Sequence, residues 1–169
     1  GAVMAFRVFF AGEVAGTAGE LYSSLSNDYR SVLGADATGD NRYQLVHASH
    51  AVVVYLGPGV LERRARQEEL EYAVDLKKHV VVVASTAFRE LPSEVPGLAP
   101  RVLHRLRELW DERILHHPGH FEPCVERLRS LLGVSDASIM GLAGSAAHSG
   151  GALGEASAIE WLRETFSGA

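Results

Sequence analysis

Two valine-rich runs constrain this chain more than any other feature: "AVVVYLG" (51–57) and "HVVVVAS" (79–85). Both are short, continuous and β-branched, without the apolar–polar alternation of a strand that has one face in water. Runs of this kind suit strands buried on both faces, as in a parallel sheet covered by helices. "FRVFFAG" (6–12) looks like a third. "YRSVLGA" (29–35) and "RILHH" around Ile114 are weaker strand candidates.

Helical patterns fall between the strands. "TAGELYSSLSND" (17–28) sets Leu21 and Leu25 four residues apart, and Thr17 with Glu20 offers a capping box. "DNRYQLVHAS" (40–49) is a short amphipathic piece and residues 62–78 form a longer one. "LAPRVLHRLREL" (98–109) and "FEPCVERLRSLL" (121–132) complete the set. Alternating strands and helices imply right-handed crossovers and a sheet covered on both faces. The expected fold is α/β: a flavodoxin-like three-layer domain with a parallel four- or five-stranded sheet, spanning residues 1–133. In a five-stranded sheet of that order, ligands bind at the carboxyl ends of the first and third strands.

After Gly133 the chain becomes rich in Gly, Ala and Ser and reads as a linker. It leads into "AIEWLRETF", where Ile159, Leu162 and Phe166 share one helical face beside Trp161. Residues 134–169 are therefore expected to be a linker and an amphipathic helix that docks on its own domain or on a partner. Over all 169 residues the formal net charge is -5 without a long basic run, which argues against nucleic acid as a partner. The single cysteine, Cys124, excludes an intrachain disulfide and a cysteine-rich zinc site. With no apolar run of membrane-spanning length and no signal-peptide pattern, the expectation is a cytoplasmic protein.

Residues 62–78 carry the most informative irregularity. On a helical wheel, Glu68, Glu71 and Asp75 cluster on the side opposite Leu70, Ala73 and Val74, as a solvated face would. Glu69 falls inside the apolar arc. A carboxylate turned toward a core must pair, be protonated or line a cavity. Two readings follow: an ion pair with Arg66 or Lys77, or a working carboxylate in a cleft at the sheet's carboxyl edge.

The stretch "HASHAVVVYLGPGVLERRARQEELEYAVDLKKHVVVVAS" resembles the heart of a bacterial-type TIR (Toll/interleukin-1 receptor) domain. Ser49 matches the serine before an apolar strand, Glu69-Leu70 with Ala73 the helix motif, and Val80 to Val83 the next strand. "FRVFFAG" stands in the place of the first strand and "HFEPCVERLRSLL" resembles the last helix, so the likeness covers about residues 6–133. The resemblance implies that Glu69 is catalytic in cleaving the nicotinamide–ribose bond of NAD, with NAD as substrate and no cofactor. It also implies assembly with other TIR-like domains in immune defence or effector signalling. "ELEYA" is similar, too, to the E-L-G-Y-A motif of nucleoside deoxyribosyltransferases, whose glutamate is the nucleophile. Both likenesses give Glu69 a role at an N-glycosidic bond, where a carboxylate stabilises or captures an oxocarbenium-like state.

The substrate-binding residues expected beside Glu69 are Gly12, Glu13 and Gly16 after the first strand, Leu56 and Gly57 at the turn, and Arg66 and Tyr72. The family's usual serine-tyrosine start is here Ala11-Gly12-Glu13, and the tryptophan-cysteine pair before its glutamate is Ala65-Arg66. The segment around "ADATGDNRYQ" is short and lacks the family's proline. These departures open a second reading, a non-enzymatic TIR assembly module. A third is a nucleoside or nucleotide N-glycosidase.

Other signals are weaker. Gly12, Gly16 and Gly19 precede a helix but fit neither dinucleotide nor P-loop spacing. "HHPGH" (116–120) cannot hold its histidines on one helical face through Pro118-Gly119 and reads as a polar loop, so no metal is expected. His47 and His50 flank a helix end and a strand start, and Cys124 reads as a small buried hydrophobe.

Overall fold

The two valine runs pair with each other at the middle of the sheet. The structure, a computed structural model, describes residues 7–13, 16–119 and 121–132. In chain order the elements are β1 (Arg7–Ala11), α1 (Thr17–Asp28), β2 (Arg30–Leu33), α2 (Arg42–His47) and β3 (Ala51–Leu56). They continue as α3 (Arg64–Asp75), β4 (His79–Ser85), α4 (Pro100–Leu109), β5 (Ile114–His116) and α5 (Phe121–Leu132). The strands form one sheet in the order β2-β1-β3-β4-β5, with every pair parallel. This is the flavodoxin-like three-layer architecture, with five strands.

The missing alternation has a plain cause. Every residue of β3 is buried, because Val52, Val54 and Leu56 face one core and Ala51, Val53 and Tyr55 the other. The first core packs under α2, α3 and α4 through Leu45, Leu70, Val102 and Leu106. The second packs under α1 and α5 through Leu21, Leu25, Val125 and Leu128. Burying a valine side chain stabilises by about 1.5–3 kcal/mol, so the paired valines of β3 and β4 anchor both layers at once. Cys124 is one of the buried residues of the second core.

Three local expectations are corrected. Gly16, not Thr17, is the N-cap of α1, with φ of 61°, so the capping box does not start the helix. The helix expected from residue 62 begins at Arg64: a 3-10 turn over Val60–Glu62 comes first and buries Val60 and Leu61. It also ends sooner than expected, and Lys77 takes a left-handed φ of 55° to turn the chain into β4. The expected linker and helix at 134–169, and His120, lie outside the described residues. Among the described residues no helix is long and apolar enough to cross a membrane.

Candidate functional site

Glu69 points into the fold, as its place on the helical wheel requires, and has no exposure at all. Its partner is Arg66, one turn earlier on α3. Arg66 Nε donates to Glu69 Oε1 at 2.6 Å and Nη2 to Oε2 at 2.7 Å, a bidentate fork. From α2, Arg42 Nε adds a bond to Oε2 at 3.2 Å. Burial raises the Glu69 carboxyl above its ordinary value, and Arg66 and then Arg42 pull it back. The two-pronged pairing is that of an ionised carboxylate. Gly34 permits this arrangement, since a Cβ there would sit 2.7 Å from one carboxylate oxygen and 2.8 Å from the other.

The ion pairs extend outward on both sides. Arg42 Nη1 reaches Glu68 Oε1 at 3.0 Å, so Glu68 is a half-buried member of the cluster rather than part of a purely solvated face. Arg66 Nη1 reaches Glu13 Oε1 at 3.1 Å and the Gly12 carbonyl at 3.4 Å. Glu13 also meets Arg63 at 3.3 Å. Of the two partners the sequence left open for Glu69, Arg66 is the one used. Lys77 is exposed, at the left-handed turn beyond α3.

A cleft of about 300 Å³ opens at the carboxyl ends of β1, β3 and β4, lined by Glu13, Tyr55, Gly57, Val60, Arg63 and Ser85. It occupies the switch point between β1 and β3, where the chain departs in opposite directions and leaves a crevice. Larger hollows exist, about 610 Å³ beside β5 and α5 and about 770 Å³ along α1. Both are shallow surface grooves. The smaller cleft is the better site because charged, hydroxyl and aromatic groups converge on it.

The structure divides the expected site residues. Glu13 and Gly57 line the cleft. Gly12 lies just behind it, and a Cβ there would come within 2.9 Å of Tyr55 Cβ. Arg66 is buried and stands between Glu13 and Glu69. Glu69 itself is sealed behind Arg66 and does not line the cleft, because both its oxygens are taken up by guanidinium groups. Leu56 is a core residue. Gly16 caps α1 and borders the groove along that helix instead. Tyr72 packs edge-on against Tyr43 at 5.1 Å, on the outer side of α2 and α3.

Two cleft features were not anticipated. Arg63, in a segment expected to be plain helix, stands at the mouth, and Ser85, the last residue of β4, forms part of the wall. A third lies behind Tyr55. His116 fell both in the weak strand candidate around Ile114 and in the expected polar loop; it is the last residue of β5 and only 2% exposed. Its Nδ1 lies 2.7 Å from the Tyr55 hydroxyl. Burial lowers its pKa below the ordinary histidine value, with a smaller opposing pull from Glu20 and a further lowering from His117. Parallel pairing with β3 could have placed Ser85 beside Tyr55, but three residues of β5 carry too little pattern to reveal His116 there.

His47 ends α2 and His50 immediately precedes β3, as expected. Among the described residues no three His, Cys, Asp or Glu side chains converge as a metal-ligand set. The fold and the cleft together define a flavodoxin-like α/β domain with a small polar site at its switch point. Comparisons with protein-family models, with curated proteins and with solved structures return no match to this chain.

Proposed function

We propose that the chain is a TIR-like recognition domain that takes a nucleotide-type ligand, NAD among them, into the cleft between Glu13 and Tyr55. The observation that supports this is the convergence of unlike groups on one small crevice at the switch point. A carboxylate at Glu13 accepts bonds from a ribose diol. The Arg63 guanidinium, more than half exposed at the mouth, meets a phosphate. Tyr55 and Ser85 line the remainder. The closure of Glu69 between two arginines favours recognition over cleavage in this arrangement.

A second reading, NAD cleavage, has one observation in its favour. Arg66 holds Glu13 at the cleft and Glu69 behind it with the same guanidinium. Movement of that side chain would open a path from the cleft to the Glu69 carboxylate, which Arg42 still holds from the other side.

Calorimetric titration of the full chain with NAD and with AMP tests the first reading. Binding that weakens in Glu13→Gln and Arg63→Met supports it, and absence of binding of either compound at millimolar concentration overturns it. Incubation with NAD at high protein concentration separates the second. Nicotinamide released by wild type, and not by a folded Glu69→Gln, establishes cleavage; no release from wild type leaves recognition alone.

A further inference from the structure

The far wall of the cleft is built from Tyr55 and Ser85, at the carboxyl ends of β3 and β4, with His116 at the end of β5 behind it. Tyr55 is register partner of Val83, two residues before Ser85 on β4, and Ser85 is partner of His116 on β5. In a parallel sheet, partners share a face and residues two apart along a strand return to it. Tyr55, Ser85 and His116 therefore project together on the α1/α5 side at the sheet's carboxyl edge, although 30 or 31 positions separate each from the next in sequence. Gly12 makes room for this wall, because any side chain there would collide with Tyr55.

Hydrogen-bond accounting sets the wall apart from its surroundings. His116 Nδ1 is engaged by Tyr55, but its Nε2 is buried with no partner, and Ser85 Oγ is likewise buried without one. Buried polar atoms are ordinarily satisfied, and an orphan hydroxyl in the wall of a crevice, with a second orphan on the histidine behind that wall, marks a place where something else completes the bonding. The chemistry of a neutral imidazole narrows what that is. With its proton on Nε2, His116 accepts from the Tyr55 hydroxyl and leaves that oxygen's acceptor capacity toward the cleft. With its proton on Nδ1, it donates to Tyr55, whose hydroxyl can then donate in turn. Ser85 can donate or accept in either state. A wall with these options and no formal charge suits a neutral group that carries a donor and an acceptor side by side.

We propose that Tyr55, Ser85 and His116 form a recognition subsite for an uncharged amide-like edge, that of a carboxamide or a nucleobase, within the cleft. This rests on the reading that the cleft takes a nucleotide-type ligand, and it assigns the ligand's uncharged ring to this wall. Glu13 and Arg63, opposite, take the sugar and phosphate. Tyr55 and Ser85 face the ligand directly, and His116 acts behind Tyr55 as a positioning residue.

The experiment uses the full chain labelled with 15N at histidine. The His116 imidazole signals are assigned by their loss in His116→Asn and followed through titrations with NAD, free nicotinamide, adenine and nicotinic acid. Nicotinamide or adenine is expected to shift the His116 nitrogens and change the tautomer balance, whereas nicotinic acid, whose carboxylate cannot donate, binds at least tenfold more weakly. Tyr55→Phe and Ser85→Ala keep nearly the same shape, and each is expected to weaken nicotinamide or adenine binding about fivefold, the worth of one neutral hydrogen bond. If NAD binds through Glu13 and Arg63 but neither variant changes its affinity, the subsite is overturned and the nucleotide reading stands. If free nicotinamide or adenine perturbs His116 while NAD does not bind, the nucleotide reading falls and the subsite stands. If no compound moves the His116 signals or binds, both are overturned and the orphan atoms are met by water alone.

Discussion

Two polar clusters lie at the carboxyl edge of the same sheet, one on each side, and they are finished to different degrees. On the α2/α3 side, Glu69 is fully buried and both its oxygens are held by Arg66 and Arg42. On the α1/α5 side, His116 is buried and Ser85 half-buried, and each has one buried polar atom left unpaired. A closed network of charges stabilises its own geometry, because removing any member leaves the others desolvated and unmatched. An open set of neutral groups forgoes that stabilisation and keeps its bonding capacity for something else. The sequence motif drew attention to the closed cluster, whereas the open one has the better claim to contact a ligand.

The comparison is broken most severely at Glu69. Glu69→Ala leaves two buried guanidiniums without their anion, and a loss of about 3–5 kcal/mol is expected, measured as a fall in the urea midpoint. If that variant kept wild-type stability, the cluster would not brace the fold. Next in size is Gly34→Ala, whose new methyl group would strike carboxylate oxygens that the arginines prevent from moving. Overpacking of this kind costs about 1–3 kcal/mol, and the same denaturation series reads it.

The open cluster should appear in the pH dependence instead. His116 has a lowered pKa because it is buried, so on acidification the unfolded chain takes up a proton before the folded one does. Stability therefore falls as pH drops through about 6.5 and continues to fall until the folded-state value is passed, by at most about 1.4 kcal/mol per pH unit for each such histidine. His50 is shifted the same way, by burial and then by Arg7 and Lys78. The wild type should thus carry two such contributions and His116→Asn one. Equal slopes for the two proteins would remove His116 from the account. The smallest effect is expected far from both clusters, at the exposed bidentate pair of Arg101 with Asp75. Asp75→Asn should leave the urea midpoint within error, since exposed pairs contribute little.

The inward turn of Glu69 was legible because helical period is local: residues 62–78 alone put it among Leu70, Ala73 and Val74. The preference for Arg66 was half legible, since three positions along a helix bring two side chains together. Arg42 was not, because nothing in "DNRYQLVHAS" says which helix lies beside it. Arg63 was missed when a 3-10 turn replaced the expected first turn of helix, a substitution driven by burial of Val60 and Leu61. The strand around Ile114 was legible, but the place of His116 behind the cleft was missed because Pro118 and Gly119 lend "HHPGH" the look of a loop, while its first residue still pairs with β4.

By itself the sequence determined the layers and the sheet: continuous β-branched runs separated by amphipathic helices can bury their side chains only in a covered parallel sheet. Which side chains meet at the edge of that sheet was decided by tertiary structure alone. Register between strands brought Tyr55, Ser85 and His116 together, and the packing of α2 against α3 closed Arg42 over Glu69. Both depend on contacts between residues some 30 positions apart, and local periodicity carries no information about them.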